Sequence, residues 1–326
     1  MCIVKAVGLF SGGLDSILSS HIILDQGLSI TCLFIGAPFI NTNQNIIENS
    51  FESLQRRGAE LVVEKISPDY LDILKHPKYG FGSGVNPCID CHTYMLKMAK
   101  ELMLERGADF VFTGEVLGER PMSQNRQALE IIEEGSGLVG ILLRPLSAKL
   151  LSPTEVELEG KVKRENLFGI KGRSRKLQLE LARKYNLEFI PSSGGGCLLT
   201  DRAYSVRVRE EMKYEDIDMN ILMLLRYGRH FRLPSGAKLI VGRNEEENVV
   251  LEKCLTQEYT VLEPVGVMGP TAVLTRDSDV ELASSIIARY CDGDGAVKVR
   301  ISKESIGEEI VVERLDDSKL REFMVI

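Results

Sequence analysis

The chain reads as an α/β protein built on a doubly wound, mostly parallel sheet, with a second, smaller α+β domain behind it. Three observations predict this. In the first two hundred residues a helix-patterned run ends in a left-handed cap and passes into a short β-rich run four times, as βα crossovers require. An apolar run at 3–10 passes directly into a glycine turn and then an amphipathic run. From residue 228 onward, short β-like runs alternate with only two helical ones, which suits a small mixed domain.

Taken in order, the strand at 3–10 feeds the turn L-F-S-G-G-L-D-S at 9–16. A helix at 15–26 stops at Gly27 and is followed by a strand at 29–35. A helix at 44–57 stops at Gly58, with a strand at 60–66. A helix at 91–106 stops at Gly107, with a strand at 109–113, and a helix at 175–185 is capped by Asn186 before a strand at 187–190. Glycine and asparagine accept the positive φ that ends a helix. Residues 75–86 carry three glycines, two aromatics and one proline and read as a loop over the site. Charged, helix-patterned residues 205–227 read as a connector. Beyond it lie β-like runs at 237–241, 259–264, 271–275, 296–301 and 310–312, and helices near 245–255 and 279–291, with Asn244 capping an acidic first turn. The expected domains are therefore 1–204 and 228–326, joined by 205–227.

At 326 residues and 44% hydrophobic content the chain can build two cored domains. No run approaches the ~18 consecutive apolar residues of a membrane span, and the apolar amino-terminal run carries no small-residue cleavage site. The expectation is a cytoplasmic protein with no membrane partner. Seven cysteines, an odd number spread thinly, argue against a disulfide framework. A net charge of −7 excludes a uniformly basic binder, yet nine basic residues face two acids over 161–184, and five face none over 226–243. Two local patches of this kind suit a polyanion.

The turn at 9–16 has the parts of an anion site. Two glycines let the backbone approach a ligand, Ser11 and Ser16 add hydroxyls, and a helix start offers unpaired N–H groups. It is neither a P-loop nor a dinucleotide fingerprint. The string S-G-G-x-D-S resembles the PP-loop of ATP pyrophosphatases, which split ATP between the α- and β-phosphates. That resemblance implies that Ser11, Gly12, Gly13, Asp15 and Ser16 hold the pyrophosphate portion of ATP, with adenine against Phe34 and the nucleotide near Gly114. A cation, Mg²⁺, would stabilise the charge developing on pyrophosphate, with Asp15 placed to help hold it.

The string P-C-I-D-C-H at 87–92 admits three chemistries. As C-x-x-C-H it matches a c-type haem attachment, which needs export. Zinc would need Cys88, Cys91, His92 and a distant fourth ligand. The third adds Cys197, which follows S-S-G-G-G at 192–196; three cysteines can hold a four-iron cluster and leave one iron open. Asp90 is expected to cap the helix starting at Cys91, whose thiolate the helix start would stabilise. Cys2, Cys32, Cys254 and Cys291 read as inert thiols.

Phosphate loop, N-P-C-x-x-C, and a cysteine after a glycine-rich turn together resemble the tRNA-uridine sulfurtransferases, the 4-thiouridine synthases and 2-thiouridylases, over roughly residues 1–205. The resemblance implies that a uracil oxygen is adenylated and sulfur then displaces AMP. Some members carry the sulfur on one cysteine and resolve it with another, which by position would be Cys91 and Cys197. Others bind a 4Fe-4S cluster, here through Cys88, Cys91 and Cys197, and the extra Cys88 favours that version. No THUMP-type or rhodanese module is recognisable, so an external donor (a cysteine desulfurase, sulfide or a carrier protein) would supply sulfur. The strings at 113–115 and 194–197 lean towards 4-thiouridine. Lys171, Arg173, Arg175 and Lys176, with Ser174 as expected N-cap, would meet the tRNA backbone. The stretch G-R-N-E-E-E-N at 242–248 resembles the NFACT-type RNA-binding domain, which implies phosphate contacts from Arg229, Arg232, Lys238 and Arg243. Other readings stay open at this point: a 2-thiouridylase, a PP-loop amidotransferase, an RNA-binding nucleotide switch, and a monomer or homodimer.

Overall fold

The computed structural model describes residues 3–41, 44–191, 196–214, 217–253, 259–303 and 306–325. The chain divides into two compact units, residues 1–200 and 201–326. No helix among the described residues is long and apolar enough to cross a membrane.

The first unit is built as β1 (Lys5–Leu9), α1 (Leu14–Leu24), β2 (Ser29–Gly36), α2 (Gln44–Gln55), β3 (Glu60–Lys65), α3 (Tyr70–Lys75), α4 (Cys88–Glu105), β4 (Phe110–Thr113), α5 (Arg126–Ser136), β5 (Leu142–Leu143), α6 (Glu155–Leu158) and α7 (Lys176–Lys184). The five strands pair in the order β3-β2-β1-β4-β5, and every pairing is parallel. The chain leaves β1 for β2 on one side and later returns to add β4 on the other, so the switch point lies between β1 and β4. That crevice, beyond the carboxyl ends of the strands, is where folds of this kind bind ligands. Gly8 is needed in β1, because a Cβ there would lie 2.3 Å from the Phe112 ring packed across it. Phe10, Ile17, Leu18, Ile22, Phe110 and Phe112 form the core around the central strands.

The expected helix stops at Gly27, Gly58 and Gly107 all carry positive φ, as does Asn186 at 51°. Two element expectations are corrected. Residues 187–190 form no strand; the fifth strand is Leu142–Leu143, two residues long and too short to leave a periodic signal. The helix expected from Ser174 starts at Lys176, with Arg175 at its cap position.

The second unit contains α8 (Arg202–Glu211), α9 (Met219–Leu224), β6 (Arg229–Arg232), β7 (Lys238–Val241), α10 (Glu245–Glu252), β8 (Thr260–Val265), β9 (Ala272–Leu274), α11 (Val280–Ala288), β10 (Val297–Lys303), β11 (Ile306–Val312) and α12 (Asp317–Phe323). Its six strands pair antiparallel in the order β11-β10-β8-β9-β7-β6. Asn244 caps α10 as its sequence suggests, accepting from the Glu247 N–H at 3.0 Å. α8 and α9, which overlap the stretch 205–227 expected as a connector, fall inside this unit.

Candidate active site

The turn after β1 is built as its residue types require. Gly12 has φ 73°, and a Cβ there would lie 2.9 Å from the Ile47 side chain. Ser50 Oγ donates to the Gly12 carbonyl at 2.9 Å and Ser16 Oγ to the Gly13 carbonyl at 2.8 Å. The Ser11 and Ser16 hydroxyls lie 3.4 Å apart, and the Gly13 N–H reaches Ser11 Oγ at 3.3 Å. No side chain caps α1, so its first N–H groups and the positive end of its dipole are left for an anion. Burial raises the Asp15 carboxyl pKa against the opposing effects of Gln178, Arg175 and Arg120. Asp15 Oδ1 is buried with no hydrogen-bond partner, as is natural for a carboxylate oxygen reserved for a ligand or cation.

A segment the sequence did not single out beyond its first two residues, 114–125, connects this loop to the rest of the site. Gly114 lies against the phosphate loop: a Cβ there would be 2.6 Å from the Asp15 carbonyl carbon and the Ser16 nitrogen. Glu115 is buried, and its carboxylate accepts from Arg144 Nε at 3.0 Å and Thr113 Oγ1 at 3.1 Å and meets His92 Nδ1 at 2.9 Å. Burial by itself would raise its pKa; Arg144 and His92 outweigh burial and hold it at about 2. Arg144 also pairs with Glu133 at 2.7 Å. Further on, Arg120 is clasped by its neighbour, its N–H donating to Gln124 Oε1 at 3.0 Å and its carbonyl accepting from the Gln124 N–H at 2.9 Å. Its exposed side chain has no ion-pair partner among the described residues, yet its charge lowers the pKa of Asp15, Cys88 and Cys197 alike. Arg120 is thus a cation whose charge acts both on Asp15 of the phosphate loop and on Cys88 and Cys197. A cavity of 330 Å³ borders Glu133 and Arg144 on the far side of this chain of charges. None of the phosphate-loop or cysteine residues lines it, so its size does not make it the nucleotide site.

The three cysteines come together from distant parts of the chain. Cys88 opens α4, and Cys91 lies buried one turn on. Cys197 is delivered by backbone pairing: Ile40 bridges Cys197, the Leu198 N–H donates to the Phe39 carbonyl at 2.7 Å, and the Val85 N–H donates to the Leu199 carbonyl at 3.0 Å. Residues 192–195 of the expected glycine-rich turn lie outside the described residues, as do Cys2 and Cys254; Cys32 and Cys291 are buried free thiols. Asp90 does not cap α4. The helix begins two residues earlier, and the Asp90 carboxylate instead accepts from the Tyr79 N–H at 3.1 Å. Nor is the Cys91 thiolate favoured: burial, with Cys197, Cys88 and Asp90 nearby, pushes the thiol up to about 12. Cys197 rises to about 11, again chiefly by burial, and Cys88 is raised for the same reason. One buried and two half-buried thiols, with Cys88 and Cys197 adding to burial in raising Cys91, form a donor set of the type that binds a cationic group as thiolates. As placed, however, no three His, Cys, Asp or Glu side chains among the described residues are gathered closely enough to hold a metal ion. His92 is turned to Glu115, away from any shared role with Cys91 as a zinc ligand.

The expected RNA contacts divide into two groups. Lys171, Arg173 and Lys176 are exposed. Arg175 is half-buried and its charge acts on Asp15, which places it at the phosphate loop. Lys171 pairs with Leu117 of the 114–125 segment. In the second unit Lys238 is 0% exposed, with its ammonium against Glu210 and Glu211, so it cannot meet a phosphate. Arg232 is also spent internally, on Glu210, Glu211 and the Tyr214 ring. Arg243 pairs with Glu247 while remaining partly exposed, and Arg229 covers Tyr290. Phe34 is buried in the core cluster, which accounts for it without a ligand.

Residues 3–149 match the family described as thiamine biosynthesis protein (ThiI), and residues 228–324 match the NFACT protein RNA-binding domain. No curated protein matches the chain. Among solved structures, a 4-thiouridine synthetase in complex with RNA and bound ATP is 21% identical with a TM-score of 0.37; the match covers 68% of this chain and 52% of that one. The U34-tRNA thiolase NcsA of Methanococcus maripaludis, with its [4Fe-4S] cluster, is 16% identical (TM-score 0.34), covering 65% and 68%. A predicted tRNA methyltransferase subunit of Methanocaldococcus jannaschii is 16% identical (TM-score 0.36), covering 56% and 76%. The chain thus joins a ThiI-type PP-loop segment, which contains the phosphate loop and the C-x-x-C pair, to a segment matching the NFACT RNA-binding domain.

Proposed function

We propose that this chain is a cytoplasmic, ATP-dependent tRNA-uridine sulfurtransferase that forms 4-thiouridine. The observation that carries the reading is a juxtaposition. The phosphate loop follows β1, the segment pairing with Cys197 follows β2, and the 114–125 segment follows β4. In a parallel sheet these are the same end. ATP would lie with its β- and γ-phosphates on Ser11, Gly12, Gly13 and Ser16, and Asp15 would help hold Mg²⁺. The uracil oxygen attacks the α-phosphorus and pyrophosphate leaves; a carbon–sulfur bond then forms as AMP departs with the oxygen. Arg120 stands where it can offset negative charge on both the phosphate and the sulfur side. Lys171, Arg173 and Lys176 would hold the tRNA backbone, with Arg229 and Arg243 supplying contacts from the second unit.

Cys88, Cys91 and Cys197 would hold a 4Fe-4S cluster, which would supply an open iron to carry the sulfur. In a second version one of Cys91 and Cys197 carries the sulfur as a persulfide and the other resolves it. Iron and acid-labile sulfide assayed after anaerobic purification separate the two. The function itself is tested by mass analysis of tRNA nucleosides from a strain lacking the gene. Loss of 4-thiouridine is the expected result. Loss of 2-thiouridine would move the reaction to the other carbonyl, and an unchanged profile would sink the proposal.

A further inference from the structure

The chain has nine Tyr, eleven Phe and no Trp, and every one of these rings lies among the described residues. Only Tyr79 and Phe81 are exposed, at 37% and 41%. Each forgoes the apolar burial that the other rings obtain at least in part. A lone exposed apolar residue is ordinary, but these two stand two residues apart on one loop, between α3 and α4.

That loop is tied to the cysteines and to the phosphate side. The Tyr79 N–H donates at 3.1 Å to Asp90, which stands between Cys88 and Cys91. The Gly82 N–H donates to the Asn86 carbonyl at 2.8 Å, just before Cys88, and the Val85 N–H donates to the Leu199 carbonyl at 3.0 Å, just after Cys197. Gly82 packs so closely on Met122 that a Cβ would run into the Met122 sulfur. Met122 belongs to the 114–125 segment, which starts against the phosphate loop at Gly114. Between the rings, Gly80 has φ 71° and closes a turn on the Pro77 carbonyl at 3.3 Å. The backbone is fixed while both rings are left to solvent.

The chemistry of the loop selects what covers them. Residues 75–86 carry two lysines and no acid. Exposed Lys78 lies over the Tyr79 ring, 5.1 Å from its centroid. Aromatic rings beside cations suit a nucleobase and its phosphate, since every base has a flat face that stacks on aromatic side chains. Thiolation needs such a base out of its helix, because enzymes that act on a base cannot reach it inside the stack.

We propose that Tyr79 and Phe81 are the platform on which the acceptor uracil stacks once drawn out of the tRNA helix, with Lys78 meeting a neighbouring phosphate. The proposal rests on the thiolation reading and names the residues that would hold its substrate base. The full-length protein is bound to a tRNA transcript carrying 5-iodouridine in place of uridine, irradiated with long-wavelength ultraviolet light, and its cross-linked peptides are mapped by mass spectrometry. A cross-link at Tyr79 or Phe81 is expected. The Tyr79→Leu, Phe81→Leu double variant is expected to lose it while keeping its melting temperature and its other RNA cross-links. In thiolation, its kcat/KM for tRNA is expected to fall at least about ten-fold, the order of effect of losing a stacking ring, with KM for ATP unchanged.

Cross-links confined to other residues, in a protein that does thiolate tRNA, would overturn the proposal. So would a double variant that thiolates at the wild-type rate with sulfide and fails only when a cysteine desulfurase supplies the sulfur, which would make the rings a docking surface for the donor protein. A wild-type protein that cross-links through these rings, yet makes no thiouridine, would reject the thiolation reading and leave the stacking platform standing.

Discussion

Glu115 shows how a single buried charge can organise a site. It lies between the guanidinium of Arg144 and the imidazole of His92, and its pKa is held at about 2 from an ordinary value of 4.5. A carboxylate with a depressed pKa contributes stability that is fully present above its unfolded value and is lost as pH falls from 4.5 towards 2. Glu115→Gln should therefore cost about 3–5 kcal/mol at pH 7, because Arg144 keeps a buried charge with less to offset it. Urea unfolding at pH 7 and pH 3 checks this: the variant should lose less stability between the two than the parent. An equal loss would show that Glu115 is not the group titrating. Motifs gave no access to this residue's role, nor to Arg120. A C-x-x-C pair is visible because its parts are three positions apart, whereas the partners of Glu115, His92 and Arg144, lie 23 and 29 positions away.

At the scale of elements, the glycine after β4 is the most constrained joint. Gly114 packs its bare α-carbon on the backbone between Asp15 and Ser16, so Gly114→Ala must push the phosphate loop out of shape. ATP affinity, measured by calorimetry, should fall at least about ten-fold, as small displacements in a positioned site do. Gly27→Ala is the control. It also has a positive φ, 79°, but its Cβ would meet nothing within 4 Å, so it should lose only about 1 kcal/mol of stability and keep its ATP affinity. Equal losses of ATP affinity in the two variants would mean that contact with the loop is irrelevant. Helix ends at Gly27, Gly58, Gly107 and Asn186 were legible because a cap is a local event. The strand expected at 187–190 was not one: Leu187 and Phe189 are only half-buried, Glu188 and Ile190 are exposed, and the stretch joins no ladder, whereas Leu142–Leu143 became one by pairing with the edge of β4.

At the scale of the molecule, each unit has its own core: Phe10, Phe110 and their neighbours in the first, Phe231, Leu239, Ile286 and theirs in the second. Residues 201–326 expressed alone should melt cooperatively and bind tRNA with an affinity that falls steeply with salt. Residues 1–200 should retain ATP binding. A second unit that folds but binds no RNA would confine recognition to Lys171, Arg173 and Lys176. By itself the sequence determined the α/β class, the phosphate loop, the helix stops at Gly27, Gly58, Gly107 and Asn186 and the pairing of a nucleotide site with cysteines, because each is written in residues close together along the chain. Only the tertiary structure decided which cations are free. Lys238 and Arg232 look like phosphate ligands in a string without acids, but α8 supplies Glu210 and Glu211 from outside that string. It also decided that the segment carrying Cys197 pairs with Ile40 after β2 and with Val85 just before the C-x-x-C helix. Charge pairing and burial depend on distance in space, which a list of residues does not contain.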